Sequence, residues 1–254
     1  MTARLRRVVA PLLFYAGLVA LWQALARLEV WSPYLFPGPD AVLAALERVW
    51  ENGLLARALE ATLTRLVVGF ALACLLGGAV GILTGAVRLA DETLGTVVLG
   101  LQSLPSITWL PLAVLWFGLS ERAIIFVTLM GSVFAIATSA RDGVRSIPPL
   151  QRRAAQVLGA SRWQTVRYVT LPGMLPAMAQ GLRLGWAFSW RSLMAGEILY
   201  VSDGLGHLLQ VGRDLNDTPL VLAVMAVIVL VGLSCDRLLF SPFEARVRAR
   251  WGLR

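Results

Sequence analysis

Long apolar blocks alternate with short polar segments along almost the whole chain. Because a helix needs about 20 consecutive apolar residues to cross the hydrocarbon core of a bilayer, this pattern predicts an all-α, polytopic integral membrane protein with about six transmembrane helices. The predicted spans cover residues 8–28, 58–87, 94–119, 123–140, 175–200 and 220–240. The first block could also be read as a cleaved signal peptide, but its length and the spans after it favour a transmembrane helix.

Residues 36–53 have the narrower apolar stripe of an amphipathic helix. Acidic residues lie opposite this stripe, which consists of Leu43, Leu46, Val49 and Trp50. The pattern predicts an interfacial helix on the outer side of the membrane. We therefore divide the chain into residues 1–57, which hold the first transmembrane helix and the interfacial helix, and a transmembrane domain of residues 58–254.

The second and third spans depart from plain apolar helices. Gly77, Gly81 and Gly85 recur every four residues in the second span, a spacing that lets two helices approach closely. The third span contains Pro105 and Pro111, each of which removes a backbone hydrogen-bond donor. Irregular backbone at mid-membrane depth is tolerated where protein or a water-filled cavity meets it, so we expect this span to line the substrate pathway. The alternative is a merely kinked helix. The side chains expected to face the pathway are Gln102, Ser106, Thr108 and Trp109.

The fifth span is the most polar of the six. Its Glu197 lies at about the same membrane depth as Arg65 of the second span, which predicts a structural ion pair between the two helices. In the same way, Arg183 is expected to pair with Asp236. Pairing of this kind compensates charges that would be costly beside lipid.

Arg191, also in the fifth span, has no obvious partner. A guanidinium facing lipid at this depth is costly, and a solute pathway is one of the few environments that suits it. Its planar fork of donors matches an oxyanion. We therefore assign Arg191 and its neighbours Trp190 and Ser192 to the substrate pathway and expect an anionic solute. The alternative is a structural pair with an acid that the sequence does not identify.

Positive charge comes entirely from arginine. The 254-residue chain is 57% hydrophobic, has a net charge of +8, and all 23 of its basic residues are arginine. With the spans above, 15 arginines lie on one side of the membrane and five on the other. The positive-inside rule places both termini in the cytoplasm, with the basic tail that ends at Arg254 and the loop of residues 145–172. Because these charges lie in short loops between apolar blocks, membrane lipid is an expected partner and nucleic acid is not.

Composition also limits the chemistry. Without lysine, the chain cannot contain a Walker A motif, so we expect no cofactor here and assign ATP and Mg²⁺ to a partner chain. The single histidine, His207, has no ligating residues near it, and we expect no metal site. The intramembrane acids lie near the ends of spans and form no acid–base cluster, which argues against a membrane-embedded enzyme and against any catalytic residue.

The loop of residues 145–172 is the longest segment suited to water. It predicts two short helices separated at Gly159, which supplies a left-handed turn that a side chain would resist. Ser161 is placed to cap the second helix, and Gln164 three residues later completes a capping box. Pro172 ends the unit. A helix–turn–helix element between two membrane spans predicts docking with another protein.

Several residues of this loop have the spacing of the EAA loop, E-A-A-x3-G-x9-I-x-L-P, which marks the membrane subunits of ABC importers. They are Ala154, Ala155, Gly159, Val169, Leu171 and Pro172. Arg153 stands where the motif has Glu and reverses its charge, and Val replaces the motif Ile. Residues 105–118 also resemble the pattern P-x-x-x-W-L-P-L-x-x-x-W-F-G of the nitrate/sulfonate/taurine/bicarbonate-type branch of these permeases.

This resemblance implies a permease subunit of a bacterial inner membrane with the type I ABC importer fold. The implied partners are a dimer of ABC ATPase subunits, an external solute-binding protein and a second permease copy. The substrate would be a small anion such as nitrate, a sulfonate, taurine or bicarbonate, and the chain itself would not be an enzyme. The alternative is an ATP-independent channel or secondary carrier. The residues that would form the coupling helix region against the ATPase are Arg153, Ala154, Ala155, Gly159, Ala160, Ser161, Leu171 and Pro172.

Overall fold

The computed structural model describes residues 3–199 and 203–252, so Arg254 of the predicted basic tail lies outside the described residues. The all-α fold class is confirmed. The α-helices are α1 (Ala3–Arg27), α2 (Pro39–Glu51), α3 (Leu54–Ala86), α4 (Arg88–Ala90), α5 (Thr96–Gln102), α6 (Leu110–Phe117), α7 (Glu121–Arg145), α8 (Pro149–Val157), α9 (Arg162–Thr165), α10 (Leu171–Leu199), α11 (Leu205–Asp214), α12 (Thr218–Cys235) and α13 (Ser241–Arg250). Short π-helical segments connect α4 to α5 (Asp91–Gly95), α9 to α10 (Val166–Thr170) and α12 to α13 (Asp236–Phe240), and a 3₁₀ turn (Ser106–Trp109) precedes α6.

The six predicted spans correspond to α1, α3, the broken segment α5–α6, α7, α10 and α12. Within the described residues, three helices are long and apolar enough to cross a membrane, and the bent segment raises this to four. The three are Leu54–Ala86, Glu121–Arg145 and Thr218–Arg250. α1 contributes the shorter apolar stretch Leu12–Arg27, and α10, at 29 residues, is long enough but contains no stretch as apolar as those in these three. The division of the chain at residue 58 stays a prediction.

The centre of the bundle is formed by α3, α7 and α10, with α7 packed against both of the others. The glycine stripe of α3 lies on α7, as its spacing predicts. A Cβ atom on Gly77 would lie 2.6 Å from the Val133 carbonyl oxygen, so only glycine permits this approach. On the other side of α7, the buried Ser189 hydroxyl of α10 lies 2.8 Å from the Ser132 hydroxyl. Because α10 packs along α7, its polar residues meet protein as well as lipid.

The third span is broken in the middle. Its two halves, Arg88–Gln102 and Ser106–Phe117, are bent by 103°, which is a sharper change than a kinked helix makes. Pro105 lies between them and cannot donate a hydrogen bond to the turn before it. Two side chains satisfy carbonyl groups at the break: the Ser103 hydroxyl donates to the Gly100 carbonyl at 2.7 Å, and the Thr108 hydroxyl donates to the Pro105 carbonyl at 2.6 Å.

The face that α2 buries differs from the predicted stripe. The structure buries Val42, Ala45 and Val49 in a cluster with α11 and α12, whereas Leu43 and Trp50 are exposed. Periodicity identifies apolar positions but does not tell whether they meet protein or lipid. Small and β-branched residues let α2 lie close to α12, which leaves the larger side chains on its outer surface.

Candidate functional site

The loop between α7 and α10 has the predicted helix–turn–helix form. Its first helix, α8, begins after Pro148 and ends in a left-handed residue, Gly159, with φ of +80°. The second helix, α9, begins with the predicted capping box. The Gln164 amide N–H donates to the Ser161 hydroxyl at 3.2 Å, and the Ser161 amide N–H donates to the Gln164 side-chain oxygen at 2.7 Å. The turn and the capping box are therefore confirmed, whereas the prediction that Pro172 ends the unit is wrong, because the helix continues through Pro172 to Leu199.

From Arg162 onward the backbone is helical without interruption to Leu199. The π-helical segment Val166–Thr170 joins α9 to α10, and Pro172 and Pro176 within this helix each lack an N–H to donate. At 1.5 Å per residue, the helix carries the chain about 40 Å from Arg162 to Arg191. One helical element therefore connects the surface of the loop to the middle of the fifth span.

The loop exposes large apolar side chains. Val157 and Leu158, at the end of α8, are 87% and 86% exposed, and Leu150, Trp163 and Tyr168 also lie mostly on the surface. Exposed apolar side chains in such a group mark a surface that binds another protein or a membrane. We call these five residues the apolar patch.

The residues of the EAA-like motif come together around this patch. Ala154, Ala155 and Pro172 line one groove, which also receives Trp251 from the end of α13. Arg153, Gly159 and Ser161 are exposed, Ala160 is half-buried, and Leu171 opens α10 at the edge of the loop. Their role in contacting an ATPase stays a prediction.

The break in the third span borders a cavity of about 370 Å³. Gln102, Ser103 and Ser106 contribute from the break, Gly131 from α7, and Arg191 from α10. The structure therefore brings together three of the residues assigned to the substrate pathway, Gln102, Ser106 and Arg191, which the sequence places in two different spans.

Within this cavity, Arg191 is held on its own helix. Its guanidinium carbon lies 5.1 Å from the centre of the Phe188 ring, and its Nε–H donates to the Ala187 carbonyl at 3.1 Å. No carboxylate lies within 4.0 Å of its nitrogens among residues 3–199 and 203–252, so the unidentified structural acid is not found in that part of the chain. Both terminal guanidinium nitrogens are left for another partner.

Four other residues assigned to the pathway lie outside this cavity. Trp109 packs against the rings of Phe126 and Phe134, and the Thr108 hydroxyl bonds to the break itself. Ser192 is buried against α7 and donates to the Phe188 carbonyl at 2.8 Å. Trp190 faces α12, where its indole nitrogen approaches Gly232. These side chains pack between helices and do not line the cavity.

Sequence reasoning left Phe188 out of the pathway, although it lines the cavity and lies under Arg191. The available signal was the spacing of three residues, which places both side chains on one face of a helix. Gly131 of α7 had no comparable signal because its position depends on how α7 and α10 pack.

The predicted ion pair between Arg65 and Glu197 is confirmed. Arg65 Nη1 lies 3.0 Å from Glu197 Oε1, and the two side chains are only 3% and 0% exposed. A second carboxylate, that of Glu121, lies 2.8 Å from Arg65 Nη2 but is 66% exposed. Glu197 also accepts hydrogen bonds from the Thr62 hydroxyl at 2.9 Å and the Gly206 amide at 3.0 Å. This network ties α3, α7 and α10 to the start of α11.

Arg183 pairs with Asp236, also as predicted. Its Nε and Nη2 lie 2.6 Å and 2.8 Å from the two carboxylate oxygens, and Glu244 of α13 adds a contact at 3.0 Å. The pair fixes α10 to the π-helical segment that directly follows α12. Both charged residues predicted to pair in α10 therefore have partners, and Arg191 differs from them.

The bundle, the broken span beside a polar cavity and the projecting loop define a multi-pass membrane transport subunit. Residues 66–248 match the family described as binding-protein-dependent transport system inner membrane component, and the chain belongs to this family. It is 34% identical over 231 residues to the taurine transport system permease protein TauC of Escherichia coli (strain K12), covering 89% of this chain and 84% of that protein. It is 30% identical over 234 residues to the riboflavin transport system permease protein RibX of Chloroflexus aurantiacus, covering 92% of this chain and 87% of that protein.

Solved structures agree on the fold. The MetNI methionine ABC transporter, in inward-facing conformations, superimposes with a TM-score of 0.66 at 22% identity, covering 77% of this chain and 95% of that one. Together with the family match, this confirms an ABC transporter permease for a small solute, of the branch that includes the taurine permease. The protein is a multi-pass inner membrane protein and is not itself an enzyme.

Proposed function

We propose that this chain is the permease subunit of an ATP-driven importer. Two copies would form the pathway, two ATPase subunits would bind ATP and Mg²⁺ on the cytoplasmic side, and an external solute-binding protein would deliver the solute. Both termini would lie in the cytoplasm. The observation that carries this proposal is the projecting loop with its apolar patch, joined without a break to the helix that reaches the cavity.

The apolar patch fits an ATPase groove on physical grounds. Removing a large apolar side chain from water is worth about 1.5–3 kcal/mol, so an apolar patch of this size gains most by docking into another protein. Arg153, Arg162 and Arg167 of the same loop are exposed as well, and an apolar centre with a polar rim is typical of specific interfaces. Movement of the docked loop would pass along α10 and displace Arg191 and the cavity wall, which couples the ATPase cycle to access.

Co-expression with a candidate ATPase tests this function. We expect the chain to co-purify with a Walker-motif ATPase, and we expect uptake into vesicles to require ATP and the Walker lysine of that partner. A double substitution in the apolar patch, Val157→Ser with Leu158→Ser, should abolish co-purification. The matched control exchanges Leu43 and Trp50 on the outer surface for serine, and this variant should still co-purify with the ATPase. Uptake that persists without any ATPase would favour the channel or secondary carrier instead.

We further propose that the solute is a small anion, such as nitrate, a sulfonate, taurine or bicarbonate. A guanidinium within a membrane span costs at least about 2.5 kcal/mol, so it needs a compensating environment. Arg191 has a cavity beside it, no carboxylate within the described part of the chain, and two free terminal nitrogens that suit an oxyanion. The similarity to a taurine permease supports a sulfonate in particular. The similarity to a riboflavin permease is a reason to test larger solutes too.

Substituting Arg191 with glutamine should lower anion uptake about 10- to 100-fold, because a hydrogen bond to a charged group is worth about 1.5–3 kcal/mol and 1.4 kcal/mol corresponds to a factor of ten. Uptake is measured in proteoliposomes, with ATPase binding and the affinity of the solute-binding protein measured alongside. The control is Arg88→Gln, which removes the same charge from the surface. Unchanged anion uptake in the Arg191 variant would remove this residue from the pathway.

A further inference from the structure

A second cavity, of about 230 Å³, lies between the loop of residues 145–172 and the ends of α3 and α7 nearest that loop. Ile82 and Val144 contribute apolar walls from the two spans. Arg152, Gln156 and Arg162 contribute the charged and amide groups from the loop. It shares no lining residue with the cavity at Arg191.

Arg152 differs from the other arginines that the fold withdraws from solvent. Five arginines are buried or half-buried among the side chains that the structure describes within residues 3–199 and 203–252. They are Arg65, Arg141, Arg152, Arg183 and Arg248. Four of these have a carboxylate oxygen within 4.0 Å. In the same ranges Arg152 has none, and it donates instead to the Val144 carbonyl. Its Nε is buried and has no hydrogen-bond partner in the described structure; the Nε of Arg65 is in the same state, so the missing carboxylate is what sets Arg152 apart.

A buried charged donor without a partner is unusual, because nearly all buried polar groups in native proteins are hydrogen-bonded. The loop itself cannot supply the missing charge, since residues 145–172 contain five arginines and no acid. The Thr165 hydroxyl lining the cavity already donates to the Ser161 carbonyl at 3.0 Å. The guanidinium groups and the Gln156 amide are therefore the donors that remain for a ligand.

We propose that this cavity is a binding site for a small oxyanion, held by Arg152 and Arg162 with the Gln156 amide. The ligand would carry a sulfate-, phosphate- or sulfonate-like group. Planar guanidinium groups bind such groups through two parallel hydrogen bonds. A bound oxyanion would link Arg152 and Gln156 of α8 to Arg162 of α9 across the turn at Gly159. The group could come from a free anion or from a lipid headgroup at the inner surface.

The test needs no ATPase, so its outcome is independent of the proposed function. The full-length protein is purified in detergent without added lipid, and sulfate or phosphate is titrated at constant ionic strength with chloride as the balancing salt. We expect the unfolding midpoint to rise, and calorimetry should show binding about tenfold or more weaker for Arg152→Gln. The matched control is Arg153→Gln, which removes the same charge from the next, exposed residue. If the Arg152 variant does not fold, Arg162→Gln replaces it as the test variant, because the Arg162 side chain is exposed.

Nanodiscs separate the two sources of the oxyanion. Stabilisation by phosphatidylglycerol over phosphatidylcholine, lost in Arg152→Gln but kept in Arg153→Gln, would support the site and assign it to a lipid phosphate. The same pattern with free sulfate or phosphate in detergent would support the site and assign it to a soluble anion. An equal response of the two variants, or no response to any of these probes, would overturn the proposal.

Discussion

In a Gly159→Val variant we expect solute uptake to fall about 5- to 30-fold while the protein still inserts into the membrane. Gly159 has φ of +80°, where a side chain costs about 1–2 kcal/mol and a β-branched residue is a clear outlier. No atom lies within 4 Å of the position that a Cβ would take, so the cost is conformational and is confined to the turn. A free energy of this size lowers the ratio of the native turn to its alternatives about 5- to 30-fold. The apolar patch would then lose its arrangement on either side of the turn.

The measurement is ATP hydrolysis and solute uptake in the reconstituted transporter, together with co-purification of the ATPase. Gly159→Asn is the control, because asparagine adopts the left-handed conformation far more readily than other side chains. It should retain most of the coupled activity. Normal solute-stimulated ATP hydrolysis and uptake in the valine variant would show that this turn does not transmit the ATPase cycle.

The second large effect concerns Arg65 and Glu197. Removing either residue alone should destabilise the protein by about 3–5 kcal/mol, because the other charge is left uncompensated in a buried site. Removing both should cost less than the two single losses together. Arg65→Ala leaves the fully buried Glu197 with neutral donors only, those of Thr62 and Gly206. Glu197→Ala leaves Arg65 with Glu121, so we expect the arginine variant to be the less stable of the two.

Unfolding midpoints in detergent, measured for the two single variants and the double variant, give the coupling between the residues. Glu121→Ala is the matched control, since a carboxylate that is 66% exposed is expected to contribute only about 0–1 kcal/mol. If the destabilisation of the double variant equals the sum of the two single destabilisations, Arg65 and Glu197 do not stabilise one another.

Features whose interacting groups are close in the chain, or few in number, followed from the sequence. The left-handed turn at Gly159 and the capping box of Ser161 and Gln164 involve residues within one helical turn, so local geometry determines them. The pair of Arg65 and Glu197 was predictable for another reason. Charges at one depth in apolar surroundings have very few possible partners, and both must be compensated.

Residues whose role depends on which face of a helix meets which neighbour could not be assigned in this way. Successive residues on a helix point about 100° apart, so Trp190 and Ser192 cannot share the face of Arg191, and they pack against α12 and α7 instead. Arg152 is a similar case. In the sequence it is one of five arginines in an acid-free loop, and only packing against Val144 withdraws it from solvent with its Nε unpartnered.

Hydropathy, prolines and helix caps determined the all-α membrane fold, the break in the third span and the projecting loop, because each of these signals acts locally. Only the tertiary structure decided that the break faces Arg191 and Phe188 across a cavity. It also decided that α2 turns Val42 and Ala45, and not Leu43 and Trp50, toward its neighbours. Both arrangements depend on how closely two helices approach, and the small residues at the contact set that distance. The apolar pattern does not reveal it, because apolar side chains in a membrane protein contact lipid as favourably as they contact one another.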